Sequence, residues 1–131
     1  LGSGYAGFTP SSSSEGLADI EIEEIYAAAR DAVISAVHSS GAEIRAMAIS
    51  SQGQTFVTLD SSDRPLHPAI MWYDSRGLAY ADKMRTAVRA AGGQSPIPTI
   101  EAIATAPKIL WLRENMADVM TRARRYLLLP D

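Results

Sequence analysis

Residues 50–76 read Ser50-Ser51-Gln52-Gly53-Gln54-Thr55-Phe56-Val57-Thr58-Leu59-Asp60-Ser61-Ser62-Asp63-Arg64-Pro65-Leu66-His67-Pro68-Ala69-Ile70-Met71-Trp72-Tyr73-Asp74-Ser75-Arg76. Residues 56–59 form an extended apolar run, residues 60–63 a turn cluster, and residues 66–72 a returning run in which Pro65 and Pro68 restrict how much can join a ladder. The stretch predicts a hairpin. Asp74 or Ser75 then stands where a helix cap belongs, ahead of Leu78, Ala81, Met84 and Val88 at helical spacing, and Gly92-Gly93 supplies a stop. A helix is expected over residues 76–91.

Upstream, Ile22, Ile25, Tyr26, Ala29, Val33, Ala36 and Val37 recur at three- and four-residue steps. They predict an amphipathic helix over residues 20–39, capped by Asp19, with Glu21, Glu23 and Glu24 at the positive end of its dipole and Gly41 as a left-handed terminator. Residues 44–50 are mostly small and apolar and read as a buried strand. Residues 1–16, rich in Gly and Ser, read as a flexible loop or strand remnant.

Downstream, residues 94–105 carry Pro96 and Pro98 and show no period, which leaves room for one helical turn at residues 100–104. Pro107 suits a first helical position, and Ile109, Leu110, Leu112, Val119 and Met120 mark two helices separated near residues 115–117. Residues 126–129 read as a last strand. Helix, strand, hairpin and helix in alternation indicate an α/β layer structure.

The 131 residues, 47% hydrophobic and 21% charged, suit one ordinary globular domain or a piece of a larger one. No apolar stretch approaches the roughly 20 residues of a membrane-spanning helix, so no membrane contact is expected and a cytoplasmic location is the default. Without cysteine there is no disulfide, thiolate metal site or Cys nucleophile. A net charge of −3 offers nucleic acid no general attraction. The charge divides unevenly, nine acids and three bases in residues 1–65 against six and nine in residues 66–131, so the halves should attract each other. Leu1 at the start and Pro130-Asp131 at the end read as interior positions of a longer chain.

Gly2, Gly4 and Gly7 match G-x-G-x-x-G, but no strand precedes them and a serine tract follows, so the spacing lacks the context of a phosphate loop. His38 and His67 are in no metal-ligand register and read as structural. No G-x-S-x-G or H-E-x-x-H motif accompanies the serines. Arg122, Arg124 and Arg125 sit where they can satisfy helix-terminal carbonyls.

Two polar segments suit polyol recognition. Residues 50–55 present two amides flanking Gly53, each able to donate and accept. Residues 72–76 present an aromatic wall, an acceptor and a forked donor. A bulge and a capped helix start, with Asp74 paired to Arg76, account for the same residues equally well.

At these segments the sequence resembles the FGGY carbohydrate kinases, which include xylulokinases, gluconokinases and glycerol kinases. The strand ending in Ser-x-Gln, the hairpin with Leu59-Asp60 and Arg64-Pro65-Leu66 about its turn, and Trp72-x-Asp74-x-Arg76 resemble the family's W-x-D-x-R region. Lys108-Ile109-Leu110-Trp111-Leu112 resembles its K-x-x-W-L helix, and residues 127–131 the lead into its D-Y-L helix. The likeness runs collinearly from residue 17 to residue 131.

The resemblance implies a partial ribonuclease-H-like domain of the actin/hexokinase-like ATPase fold, with a short β-hairpin sheet and flanking helices. It also implies that residues 17–131 are an incomplete N-terminal kinase domain, inactive alone, on the sugar side of a cleft. ATP and Mg2+ would serve the full-length parent, with no catalytic base or metal ligand in this chain. The partners implied are a sugar or polyol and the remainder of the same chain, and a homo-oligomer is compatible with them.

By position, the resemblance makes Gln52 the family's recurring glutamine, Gly53 and Gln54 a substrate-contacting pair, and Trp72 an aromatic wall, with Asp74 and Arg76 as further substrate-side candidates. Xylulokinases carry Met-His and glycerol kinases Arg-Glu where this chain has Gly53-Gln54, so pentulose, hexose and polyol substrates stay open. A non-catalytic actin-like scaffold is the alternative reading.

Overall fold

The computed structural model describes residues 1–93 and 100–131. A five-stranded antiparallel sheet is its frame, with strands β1 (Ser11–Ser12), β2 (Ala18–Ile20), β3 (Phe56–Leu59), β4 (Ala69–Ile70) and β5 (Arg125–Leu128) in the order β1-β2-β4-β3-β5. The predicted hairpin is β3–β4, with Phe56 opposite Ile70, and its second arm is short. Of residues 66–72 only Ala69–Ile70 is ladder, because Pro65 and Pro68 cannot donate, although Leu59 and Pro65 still form an isolated bridge.

Side-chain alternation along β3 divides the core into two faces. Val57 and Leu59 join Ala18, Ile20, Ile25, Ala69 and Met71 on the face covered by helix α1 (Ile22–Ser40). Phe56 joins Ile70 and Leu112 on the other face, against helices α3 (Thr105–Asn115) and α4 (Ala117–Arg122). All four residues of β3 are buried, as expected of a central strand covered on both sides. Helix α2 (Leu78–Ala90) follows a 3-10 turn at Ser75–Gly77 and packs on α3. Met116 is the break predicted between α3 and α4.

Several expectations are corrected. Residues 44–50 form no strand and are exposed. A strand exists only by pairing, and residues 44–50 pair with none of the five strands. Asp19 does not cap α1. It lies in β2, while Glu21 occupies the N-cap position with no side-chain cap bond. Gly41 is the left-handed terminator, at φ 60°. Of the predicted stripe only Ile25 is buried, joined by Ala28, whereas Tyr26 and Val33 are exposed. Pro107 is the third helical residue of α3, a position whose N–H has no intrahelical acceptor.

Residues 1–16 are not a free loop. Ser11–Ser12 pairs with β2, and Ser39 Oγ accepts from the Ser3 N–H at 3.1 Å while donating to the Ser3 carbonyl at 3.0 Å. A Cβ at Gly2 or Gly4 would meet the α1 carbonyl oxygens of Ala36 or Ala32, so these glycines serve close helix approach. Residues 94–99, within the segment expected to be irregular, lie outside the described residues, and Ala104 N–H to Glu101 O closes one turn beyond them.

Among the described residues, the ion pairs that join the two halves have the sign the charge asymmetry predicts. They are Asp19 with Arg76 and Asp63 with Arg125. Among the described residues no helix is long and apolar enough to cross a membrane.

Candidate functional site

The polar end of the sheet is assembled where β3 begins and β4 runs out. Thr55, fully buried, accepts the Trp72 N–H on its hydroxyl at 3.0 Å, which ties the residue before β3 to the residue two beyond β4. Its neighbour Gln54 reaches the opposite way. Gln54 Oε1 accepts the Thr105 backbone N–H at 3.1 Å and the Thr105 hydroxyl at 2.9 Å. It therefore satisfies an orphan donor of the first turn of α3, a helix without a local side-chain cap. The oxygen of the Gln54 amide is occupied, and its nitrogen donates to nothing among the described residues.

Trp72 is 41% exposed and lies edge-on to Tyr73, with ring centroids 5.5 Å apart. A half-exposed indole at a strand end is the kind of apolar surface that a ligand can cover. Gln54 and Trp72 are each tied to the first turn of α3, Gln54 by its side-chain amide to Thr105 and Trp72 by its backbone carbonyl to Lys108. Gln52 is half-buried and Gly53 exposed in the turn that precedes Gln54, and a Cβ at Gly53 would meet nothing within 4 Å.

Asp74 and Arg76 are placed differently. Asp74 is 1% exposed, and its Oδ2 accepts the Ala18 N–H at 2.6 Å. Its Oδ1 takes the Arg76 N–H and Nε at 2.9 and 2.7 Å, while Arg76 Nη2 bonds Oδ2 at 2.9 Å and Asp19 Oδ1 at 2.7 Å. Arg76 also stands over the Trp111 ring, 5.0 Å from its centroid. The carboxylates hold the guanidinium's pKa above its ordinary value, outweighing burial, which acts the other way. Their bonds hold β2, the helix entry and α3 together, which is the structural alternative weighed from sequence. Both oxygens of Asp74 are spent inside the protein.

Lys108 received no role from sequence reasoning beyond its place in the K-x-x-W-L run. It is fully buried, with Nζ donating to the carbonyls of Met71 at 2.9 Å, Trp72 at 2.7 Å and Ile103 at 3.2 Å. Burial pushes its pKa down to about 8 against the upward pull of Asp74, and Arg76 adds to the fall. A lysine in the first turn of a helix, one position before the apolar Ile109-Leu110 pair, was the available signal, since buried lysines are rare. Lys108 and Trp111 make the K-x-x-W-L helix the support beneath the W-x-D-x-R segment.

His67 is structural in the way expected. His67 Nδ1 contacts the Pro68 carbonyl at 2.6 Å and Nε2 the Thr58 hydroxyl at 3.0 Å, and burial lowers its pKa. Arg124 donates to the Thr121 and Ala123 carbonyls and Arg122 to that of Asp118 at the end of α4. Among the described residues no group of three or more His, Asp or Glu could hold a metal ion. Gly2 and Gly4, the first two glycines of the G-x-G-x-x-G spacing, are packed against α1.

The family model for the N-terminal domain of the FGGY family of carbohydrate kinases matches residues 1–131. The chain belongs to that family. Its relatives include a xylulose kinase from Lactococcus lactis, 32% identical over 70% of this chain and 18% of its own length. A glycerol kinase from Trichlorobacter lovleyi is 29% identical over 84% of this chain and 23% of its own. A gluconokinase from Bacillus subtilis is 28% identical over 95% of this chain and 24% of its own. The chain thus spans about a fifth to a quarter of the relatives it matches.

Among solved structures, a xylulose-type kinase from Brucella ovis superposes with a TM-score of 0.83 at 27% identity, covering 99% of this chain and 27% of that one. A gluconate kinase from Lactobacillus acidophilus, at TM-score 0.77 and 21% identity over 92% of this chain and 25% of that one, shares the fold. The mixed helix and antiparallel sheet seen here is therefore part of the actin-like ATPase fold of the FGGY kinases, as the sequence resemblance implied.

Proposed function

We propose that this FGGY N-terminal segment supplies the sugar-facing wall of an ATP-dependent carbohydrate kinase, which transfers the γ-phosphoryl group to a sugar or polyol hydroxyl. The observation that carries the reading is that the start of α3 holds both the Gln54 amide and the backbone of the half-exposed Trp72. The indole covers the apolar face of the sugar, and the Gln54 amide nitrogen, its oxygen held by Thr105, donates to a hydroxyl. Gln52 and Gly53 complete the contact, Gly53 by letting substrate approach the backbone. Asp74 and Arg76, which the sequence left equally open to substrate contact and to a structural pair, serve in this reading by holding Trp72's segment in place.

ATP, bound with Mg2+, would supply the phosphoryl group, and positioning with charge neutralisation would drive the transfer. The residues here contribute binding and orientation of the acceptor. The proton-accepting base and the nucleotide site belong to the rest of the parent protein, so the 131-residue chain alone should be inactive. The names of the relatives support a sugar or polyol acceptor, and the neutral Gly53-Gln54 pair gives a site without an ionisable contact at that position.

The test is ATP-dependent phosphorylation of xylulose, gluconate and glycerol by the full coding sequence, followed as ADP release. Turnover of one of them, abolished or weakened by Gln54→Ala and Trp72→Ala with little change in ATP KM, is expected. An active enzyme whose specificity constant ignores both substitutions, or no turnover of any sugar or polyol, would overturn the reading.

A further inference from the structure

We infer that Lys108 is a positioning residue that sets the geometry of the sugar-facing wall, by gathering the carbonyls of Met71, Trp72 and Ile103 onto one ammonium. The inference rests on the function proposed above, and its structural part can be tested without it.

Three observations carry it. The first is topological. The three carbonyls come from two places in the chain, the strand end at residues 71–72 and the turn before α3 at residue 103, and Nζ lies 2.9, 2.7 and 3.2 Å from them. The Met71 carbonyl also accepts the Asp74 N–H at 3.1 Å, so Lys108 adds to a turn already closed there, while the Trp72 and Ile103 carbonyls lie outside the strands and helices. An ammonium has three N–H donors and meets three acceptors, so the site is satisfied on both sides.

The second is burial. Lys108 is 0% exposed, and a buried ammonium without these acceptors would be strongly unfavourable. The requirement works in both directions, because the carbonyls must stay converged for the lysine to remain inside. The third is adjacency. The Ile103 turn leads through Ala104 into Thr105, whose N–H and hydroxyl hold the Gln54 amide. The Trp72 carbonyl is on the residue that bears the proposed wall. One ammonium therefore fixes both halves of the site relative to each other, while contacting no substrate atom itself.

The groups facing Lys108 are Asp74 and Arg76 from the helix entry, with Asp19 of β2 bonded to Arg76 beyond them. Loss of a proton from the lysine leaves two N–H donors for three carbonyls, which releases part of the constraint.

The experiment uses the full coding sequence, with Lys108→Met, which keeps the chain length and removes the donors. Sugar or polyol KM should rise at least about tenfold with ATP KM little changed, as expected when a reactant is misplaced by a fraction of an ångström. Hydrogen exchange should accelerate in peptides covering residues 70–76 and 100–106 while residues 125–128 keep their protection. Unchanged exchange in those two peptides, or faster exchange with unchanged acceptor KM, overturns the inference.

Should the variant fail to fold, the wild-type enzyme decides it by the same two readouts between pH 7 and pH 9.5. Acceptor KM should climb more steeply than ATP KM through the upper part of that range, and a flat acceptor KM overturns the inference. If the parent phosphorylates no sugar or polyol while the two peptides loosen in Lys108→Met, the kinase reading has failed and the inferred role in catalysis falls with it, leaving only the structural clamp.

Discussion

The hydroxyl of Thr55 accepts the backbone N–H of Trp72 at 3.0 Å across 17 positions of sequence, so the glutamine-bearing bend and the tryptophan-bearing helix entry form one unit. Thr55→Val keeps the shape and removes the acceptor, leaving a half-buried N–H without a partner. A loss of ~1–3 kcal/mol in urea unfolding is expected. Thr55→Ser should recover most of it. In the parent enzyme the Val variant should weaken the acceptor more than ATP.

Asp74 closes the other side of the same unit. Breaking a buried pair leaves an uncompensated charge, so Asp74→Ala should cost ~3–5 kcal/mol. The variant leaves Arg76, 6% exposed at its side chain, with Asp19 as its remaining carboxylate and leaves the Ala18 N–H without its acceptor. Arg76→Lys should also destabilise, because an ammonium cannot bond both Asp74 oxygens and Asp19 in the planar arrangement observed. Urea denaturation of each variant measures both effects, and an Arg76→Lys protein as stable as wild type would refute this account of the pair.

How much of this was legible in the sequence depends on whether a residue's partner is local. The β3–β4 hairpin, the Gly41 terminator and the Asp74 cap on the Arg76 N–H are set by neighbours within a few residues, and spacing revealed them. Residues 44–50 have strand composition but pair with no strand, and composition cannot supply a partner. Asp19 had the chemistry of a cap, yet an arginine 57 positions away claimed it for β2. In the candidate site, Gln54 and Trp72 were visible as residue types. The long-range bonds of Thr55, Thr105 and Lys108 that bring them together were not, because no periodicity encodes a contact between separate elements.

Gly77 gives a steric prediction. A Cβ there would lie 2.7 Å from the Ala102 carbonyl oxygen, 3.2 Å from Pro107 Cβ and 3.3 Å from Lys108 Cγ. The first contact is with backbone and cannot swing aside. Gly77→Ala should therefore destabilise by ~1–3 kcal/mol through overpacking where the 3-10 turn meets α3. A helix-favouring gain from alanine, read as a raised Tm, would contradict this packing.

His67 makes stability fall in mild acid. Its pKa is lowered in the folded protein, chiefly by burial, from an ordinary value of 6.5. Below that value the unfolded chain binds a proton that the folded one resists, so stability declines as pH falls from 6.5 toward the folded pKa. His67→Gln should flatten that part of the profile while costing some stability at pH 7 through its lost contacts with Thr58 and Pro68. Unfolding free energies from pH 7 to pH 5 for both proteins measure the difference in slope.

Lys108 acts in alkali with the opposite consequence for stability and for the site. Its folded pKa is about 8 against an ordinary 10.5, so between those values the unfolded chain holds a proton that the folded one has released. Raising the pH across that window favours the folded state, because the cost of burying the charge disappears, and the gain is at most on the order of 3 kcal/mol. Lys108→Met has no such proton, so wild-type stability relative to the variant should improve from pH 8 to pH 10.5. The site should respond in the other direction, since the neutral amine can serve only two of the three carbonyls that fix Trp72 and Ile103. Parallel unfolding and kinetic series in the parent enzyme separate the two trends. Stability that is equally pH-dependent in wild type and variant would show that this lysine does not titrate inside the fold.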